Sequence, residues 1–175
     1  MSRTGLHRAL ACARGAVVAF LDDDDVVDHY WLDAFRDIWR RTPAAGAATG
    51  QVLPYELETD AQVAFERRGR FRSGIHRLHH ALPGPAADLI FPYGAGEFGT
   101  GANFAVRREV ALELGGLDEA FDTGPPLPGG GEIDMMHRVV RHGNPLVYAP
   151  GAVVVHRHRP IGRVSPGNTA RGVSP

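Results

Sequence analysis

Residues 16–32 read AVVAFLDDDDVVDHYWL, and the class of the fold follows from how that stretch changes character along its length. Ala16 to Leu21 is a short continuous apolar run with β-branched residues, the pattern of a strand buried on both faces of a parallel sheet. It runs directly into Asp22, Asp23, Asp24 and Asp25. Beyond them, Asp28 precedes Tyr30, Trp31, Leu32, Phe35, Ile38 and Trp39, whose three-and-four spacing predicts an amphipathic helix capped by Asp28 and stopped before Pro43. Strand, acidic turn and helix make one βα unit, which places the chain in the α/β class.

Working outward, Gly5 to Arg14 is a helix-like run, and Ala47 to Leu53 is expected as the next strand, ended by Pro54. Thr59 to Arg68 has helical character, and Arg67 to His80 is basic and irregular. Leu89 to Tyr93 holds Pro92 and is an edge strand at best. A glycine-rich loop, Gly94 to Gly101, leads to a helix predicted over Val106 to Leu114 and stopped at Gly115-Gly116. Asp122 to Gly131 reads as a loop. Ile133, Met136, Val139 and Val140 then predict a second amphipathic helix, followed by strands at Leu146 to Tyr148 and Ala152 to Val155. There is no internal repeat, so a single layered domain with loops at the strand ends is expected. Pro160 to Pro175 has no apolar periodicity and reads as a disordered tail.

Composition narrows the function classes. The 175 residues carry 19 positive charges, all arginine, against 20 carboxylates, for a net charge of −1. That balance lacks the basic excess of a nucleic-acid binder. A single cysteine, Cys12, excludes an internal disulfide, and no Cys/His spacing resembles a zinc finger, so a reducing, cytoplasmic setting is expected. The longest apolar stretch, Gly15 to Leu21, is far below the roughly 20 residues that cross a bilayer, so any membrane contact is expected to be peripheral.

Three groups of residues bear on chemistry. Asp22 to Asp25 stand at the carboxyl end of a buried strand, the edge where open α/β sheets bind ligands. Four adjacent carboxylates repel one another unless a cation or hydrogen-bond donors neutralise them, so the run fits either a divalent metal site or a solvated turn with an aspartate capping the next helix. Glu132 and Asp134 follow Gly129-Gly130-Gly131. They read either as first-turn charges favoured by the helix dipole by about 0.3–1 kcal/mol or as a general base on a glycine hinge. His156 and His158 alternate with Arg157 and Arg159, which puts the two imidazoles on one face; beside carboxylates they would favour Mn²⁺ or another transition ion over Mg²⁺. His76, His79 and His80 read as solvent-exposed. Gly94, Gly96 and Gly99 match G-x-G-x-x-G, with Asp118 at the spacing of a ribose contact. Pro92 interrupts the leading strand and Gly101-Ala102-Asn103 continues the loop, so a loop whose backbone N–H groups approach a ligand is preferred to a dinucleotide site.

Taken together, AVVAFLDDDDVVDHYWL (16–32), FGTGANFAVRREVALELGGLDEAF (98–121), GGGEIDMMHRV (129–139) and LVYAPGAVVVHRHR (146–159) resemble family 2 glycosyltransferases of the GT-A fold, over roughly Gly5 to Arg159. QVLPYELETDAQVAFERRG (51–69) is also similar to the middle segment of one bacterial subgroup. The resemblance implies an incomplete GT-A domain over residues 1–159, with a mostly parallel central sheet flanked by helices, the family's nucleotide-binding strands before the D-x-D strand being absent from this chain. It implies inverting transfer of a sugar from a nucleotide-diphosphate donor, a UDP-sugar, to a hydroxyl of a glycan or lipid-linked acceptor, in the cytoplasm or at the inner face of the membrane.

On the same resemblance, Asp22 and Asp24 fall on the D-x-D positions that hold Mn²⁺ or Mg²⁺ against the diphosphate, with Asp23 and Asp25 supporting, and His156 completes the metal site. Gly99, Thr100, Gly101 and Asn103 would line the donor and acceptor pocket, and Arg8 matches the arginine of the family's A-R-N segment. Glu132 occupies the catalytic-base position, one methylene longer than the family's aspartate, with Asp134 at the acidic position that follows. Two rival readings are a non-catalytic remnant serving as a binding or assembly module and an oxidoreductase using the Gly94 loop.

Overall fold

The computed structural model describes residues 9–67, 78–80, 99–118, 120–121 and 130–157. Arg8, Gly94, Gly96, His76, His158, the segment 89–93 and the tail 160–175 lie outside the described residues. A helical turn, α1 (residues 9–12), precedes β1 (Val17–Leu21), β2 (Asp25–Val27), α2 (Trp31–Arg41), β3 (Ala47–Pro54) and α3 (Asp60–Arg67). β4 (Leu78–His80), β5 (Asn103–Arg107), α4 (Arg108–Glu113), α5 (Gly131–Arg141) and β6 (Leu146–His156) complete the order.

The strands form one sheet in the order β1-β5-β3-β6-β2, with β4 also on β6. Period-two alternation sends neighbouring side chains to opposite layers. Phe104, Val106, Ala47 and Leu146 pack with Leu10, Met135, Met136, Val139 and Val140 beneath α4 and α5. Ala105, Ala48 and Val147 instead face Trp31, Phe35 and Ile38 of α2. Each fully buried apolar side chain, such as Ile38 or Val139, contributes about 1.5–3 kcal/mol of transfer free energy. The β1–β5 register sets Phe20 opposite Phe104, and their rings stack with centroids 5.9 Å apart.

The expected mostly parallel sheet is corrected to a mixed one. β1, β3 and β6 do run the same way, yet only β3 and β6 pair in parallel. β5 starts beside the carboxyl end of β1, with Asn103 opposite Leu21, and so returns antiparallel between β1 and β3. β2 and β4 also pair antiparallel with β6. Helices on both faces make a strand apolar throughout whichever way it runs, so the apolar run of β1 carried no information on direction.

Other boundaries also shift. NFAVR, placed partly in a loop and partly in a helix by the sequence pattern, is β5, and the helix after it is confined to six residues. The two strands expected over 146–155 are one strand. Its register against β3 jumps from Gly50↔Ala149 to Gln51↔Val153, so residues 150–152 bulge out of the ladder. Asp28 does not cap α2 itself: its Oδ1 accepts the Tyr30 N–H at 2.9 Å, and the helix begins at Trp31. In front of α3, Gln62 Oε1 accepts the N–H groups of Glu58 and Thr59 while Thr59 Oγ1 accepts that of Gln62, a reciprocal box that fixes the helix start.

Candidate functional site

One edge of the sheet collects the chemistry-bearing residues. The carboxyl end of β1 delivers Asp22, the turn 99–102 enters β5 beside it, and β6 ends at His156. A tight turn with Asp25 N–H on Asp22 O at 3.3 Å reverses the chain after β1. Antiparallel pairing of β2 with β6 then sets Asp25 directly opposite His156. That pairing went unforeseen because the three-residue β2 was not recognised; its signal is the β-branched pair Val26-Val27 directly after the aspartates.

His156 Nδ1 donates to Asp25 Oδ1 at 2.8 Å and lies 3.7 Å from Asp24 Oδ1. The Asp25 hydrogen bond, reinforced by the charges of Asp25, Asp24 and Asp22, holds the imidazole above its ordinary range against the opposing effect of burial. Desolvation by its packed surroundings, then the charges of Asp25 and Asp24, push the Asp22 carboxyl above the usual carboxylate range. Asp23 is exposed beside them.

Ligand atoms of Asp22, Asp25 and His156 all lie within 4.8 Å of one another. The side chain of Asp25 is fully enclosed, and its Oδ2 has no hydrogen-bond partner. An uncompensated buried carboxylate oxygen is costly, and a set of hard oxygens with one imidazole suits Mn²⁺ or Mg²⁺, so these residues fit a divalent cation.

Around this edge the expected residues divide. Gly99 adopts φ +124° against Thr49, a conformation and a closeness that favour glycine. Thr100 Oγ1 accepts the Ala102 N–H at 3.3 Å and shapes the turn. Glu132, at the start of α5, lies over Gly101: a Cβ there would stand 2.8 Å from Glu132 Cδ.

Asn103 faces the interior. It is fully buried, its Oδ1 accepts Trp31 Nε1–H at 2.9 Å, and its Nδ2 donates to Gln51 O at 2.9 Å and Ala152 O at 2.7 Å. It clamps β5, β3, the β6 bulge and α2 together. Asp134 likewise turns away from Glu132 into an ion pair with Arg138, with Nε to Oδ2 at 2.7 Å, and Arg138 also donates to the carbonyls of Leu114 and Gly116. Asp118 Oδ1 accepts the Ala120 N–H at 2.7 Å, a local turn contact.

Residues 3–115 match the family model for glycosyl transferase family 2. No curated protein matches the chain. Among solved structures, GalNAc-T7 crystallised with UDP, GalNAc and Mn²⁺ is similar, with a TM-score of 0.53 and 17% identity over 87% of this chain. The chain spans 29% of that protein's length, and the likeness establishes the GT-A fold.

Proposed function

Since this chain belongs to glycosyl transferase family 2, we propose that it moves a sugar from a nucleotide-diphosphate donor, a UDP-sugar, to an acceptor hydroxyl with inversion at the anomeric carbon. The observation that carries this reading is the convergence at one sheet edge of a cation-fitting group, Asp22, Asp25 and His156, with Glu132 set over the turn that holds Gly101. The UDP and Mn²⁺ in the GalNAc-T7 structure support the choice of donor and ion.

Bound there, Mn²⁺ or Mg²⁺ supplies neutralisation of the charge that builds on the departing diphosphate. Asp22 and His156 would hold the ion, with Asp24 and Asp25 adding negative charge around it. The turn 99–102 offers short side chains and backbone N–H groups to the donor sugar and the acceptor. Glu132 accepts the proton of the attacking hydroxyl as its oxygen bonds to the anomeric carbon, and the electrons of the broken bond leave with the diphosphate. Asp134 is held in an ion pair with Arg138.

The acceptor in this reading is a glycan or lipid-linked hydroxyl reached from the cytoplasm or the inner membrane face. Among the described residues no helix is long and apolar enough to cross a membrane.

The test is release of UDP from a panel of UDP-sugars with Mn²⁺, water serving as the default acceptor. Turnover by the native chain, reduced at least about 100-fold in a folded Glu132→Gln variant, is expected. A folded native chain that neither binds nor cleaves any donor would instead favour a binding or assembly module.

A further inference from the structure

We propose that Arg138 is a positioning residue for transfer: it fixes the rotation of α5 about its axis and, through it, the place of the Glu132 carboxylate over the turn 99–102. This assignment rests on the role given to Glu132 in the preceding section and adds the residue that holds it there.

The amino end of α5 has no cap of its own. It opens on Gly130 at φ +110°, a conformation that favours glycine, and no side chain caps its first turn. Met135, Met136, Val139 and Val140 seat the helix on the sheet by apolar packing, which is not directional. The directional bonds lie farther along. Arg138 donates from Nη1 to Leu114 O at 2.7 Å, from Nη2 to Gly116 O at 2.9 Å and from Nε to Asp134 Oδ2 at 2.7 Å. Three donors of one planar fork are engaged in fixed directions. Asp134, one turn earlier on the same helix, sets the plane of that fork, and the two carbonyls close the carboxyl end of α4, where a cation is favoured.

Those carbonyls connect Arg138 to the site. Leu114 and Gly116 bracket Gly115 in a turn closed by Gly115 N–H on Leu112 O at 3.0 Å and Gly116 N–H on Ala111 O at 2.8 Å. α4 follows β5 without a break, and β5 follows the turn that holds Gly101. The path from Gly101 through β5, α4, Arg138 and α5 to Glu132 therefore closes on itself, because Glu132 lies against Gly101. Arg138 is a polar joint in that ring. A rotation of α5 by about 10° moves a carboxylate about 6 Å from the axis by about 1 Å, a displacement that costs a reacting group about 100-fold in rate. Lysine keeps the charge, but one ammonium cannot reproduce the fork that spans two carbonyls and a carboxylate.

The experiment compares the native chain with Arg138→Lys and with Arg141→Lys, a control at an exposed position of the same helix, at a temperature where circular dichroism shows all three folded. In release of UDP from a UDP-sugar, Arg138→Lys is expected to lower kcat at least about tenfold with the donor KM within about threefold, and Arg141→Lys to lower kcat less than about twofold. In a Glu132→Gln background Arg138→Lys should change the residual rate less than about twofold, since the carboxylate it positions is gone. A loss carried by KM, or one that persists in full beside Glu132→Gln, would overturn the proposal. If Arg138→Lys does not fold, Arg138→Gln is read in the same way. A second measurement needs no turnover: the Gly101 amide signal in ¹H–¹⁵N spectra should move in Glu132→Gln and in Arg138→Lys and stay in Arg141→Lys. A signal that moves in Glu132→Gln alone would refute the positioning role. The expected shifts in a native chain that turns over no donor would support the link and refute the transfer reading alone.

Discussion

Glu132 covers Gly101 so closely that a single added methyl group would stand 2.8 Å from its Cδ and 2.9 Å from its Cβ. The turn and the amino end of α5 are therefore one unit, and displacement of either moves the carboxylate. Gly101→Ala should lower turnover about 100-fold or more, because misplacing a reacting group by about 1 Å has that scale of effect. The melting temperature should change far less than turnover. Steady-state rates beside thermal melts check this, and a variant with native turnover would remove Glu132 from the site.

Asn103 is buried and supplies three side-chain hydrogen bonds, those to Trp31 and Ala152 buried and that to Gln51 part-buried. Asn103→Ala leaves Trp31 Nε1–H and two carbonyls without partners. With about 1–3 kcal/mol for an unsatisfied buried group, the expected loss of stability is about 3 kcal/mol in urea unfolding. A loss below about 0.5 kcal/mol would show that the clamp is dispensable.

Asp134 and Glu132 separate in the same kind of comparison. Asp134→Asn breaks the partly buried pair with Arg138 and should cost about 1 kcal/mol after allowance for solvent screening, with transfer reduced only modestly. Glu132→Gln should abolish transfer with stability nearly intact. An Asp134→Asn variant that loses transfer while Glu132→Gln keeps it would reassign the base.

The cation-free edge should also respond to pH. His156 is held above its ordinary value by the Asp25 hydrogen bond, so the folded state binds this proton more tightly than the unfolded chain. That stabilisation is complete below the unfolded value of 6.5 and is lost as pH rises through the higher folded value. Asp22, also raised, acts in the same direction at lower pH: its contribution is complete below 3.8 and lost as pH climbs through its folded value. In EDTA the native chain should therefore lose stability as pH rises above 6.5, and His156→Gln should flatten that slope. Urea midpoints across the range decide it, and an unchanged slope in the variant would assign the effect elsewhere.

Most of the layer plan was legible because apolar periodicity reports burial: β1, α2, β3, α3 and α5 fall close to where their patterns place them. Direction and pairing were not, since an apolar run such as VVAFL is equally suited to parallel and antiparallel neighbours. β5 escaped because NFAVR is short and abuts a helix, and the alternation that would reveal it is hidden by burial on both faces. At the site, the acidic turn and His156 were readable from composition and position, and the structure brings Asp22 and His156 within ligand reach. What could not be read was that Asp25 faces His156 across two strands, which depends on the β2–β6 register. Asn103 misled for the opposite reason: a polar residue after a glycine turn looks available to a ligand, and only the packed structure reveals its interior partners.

The most direct test of a metal-dependent nucleotide-sugar site is calorimetric titration of the purified chain with UDP, with Mn²⁺ and with EDTA, alongside circular dichroism. UDP is expected to bind at least tenfold more tightly with Mn²⁺. A folded chain whose UDP affinity is the same in both, or absent in both, would contradict it.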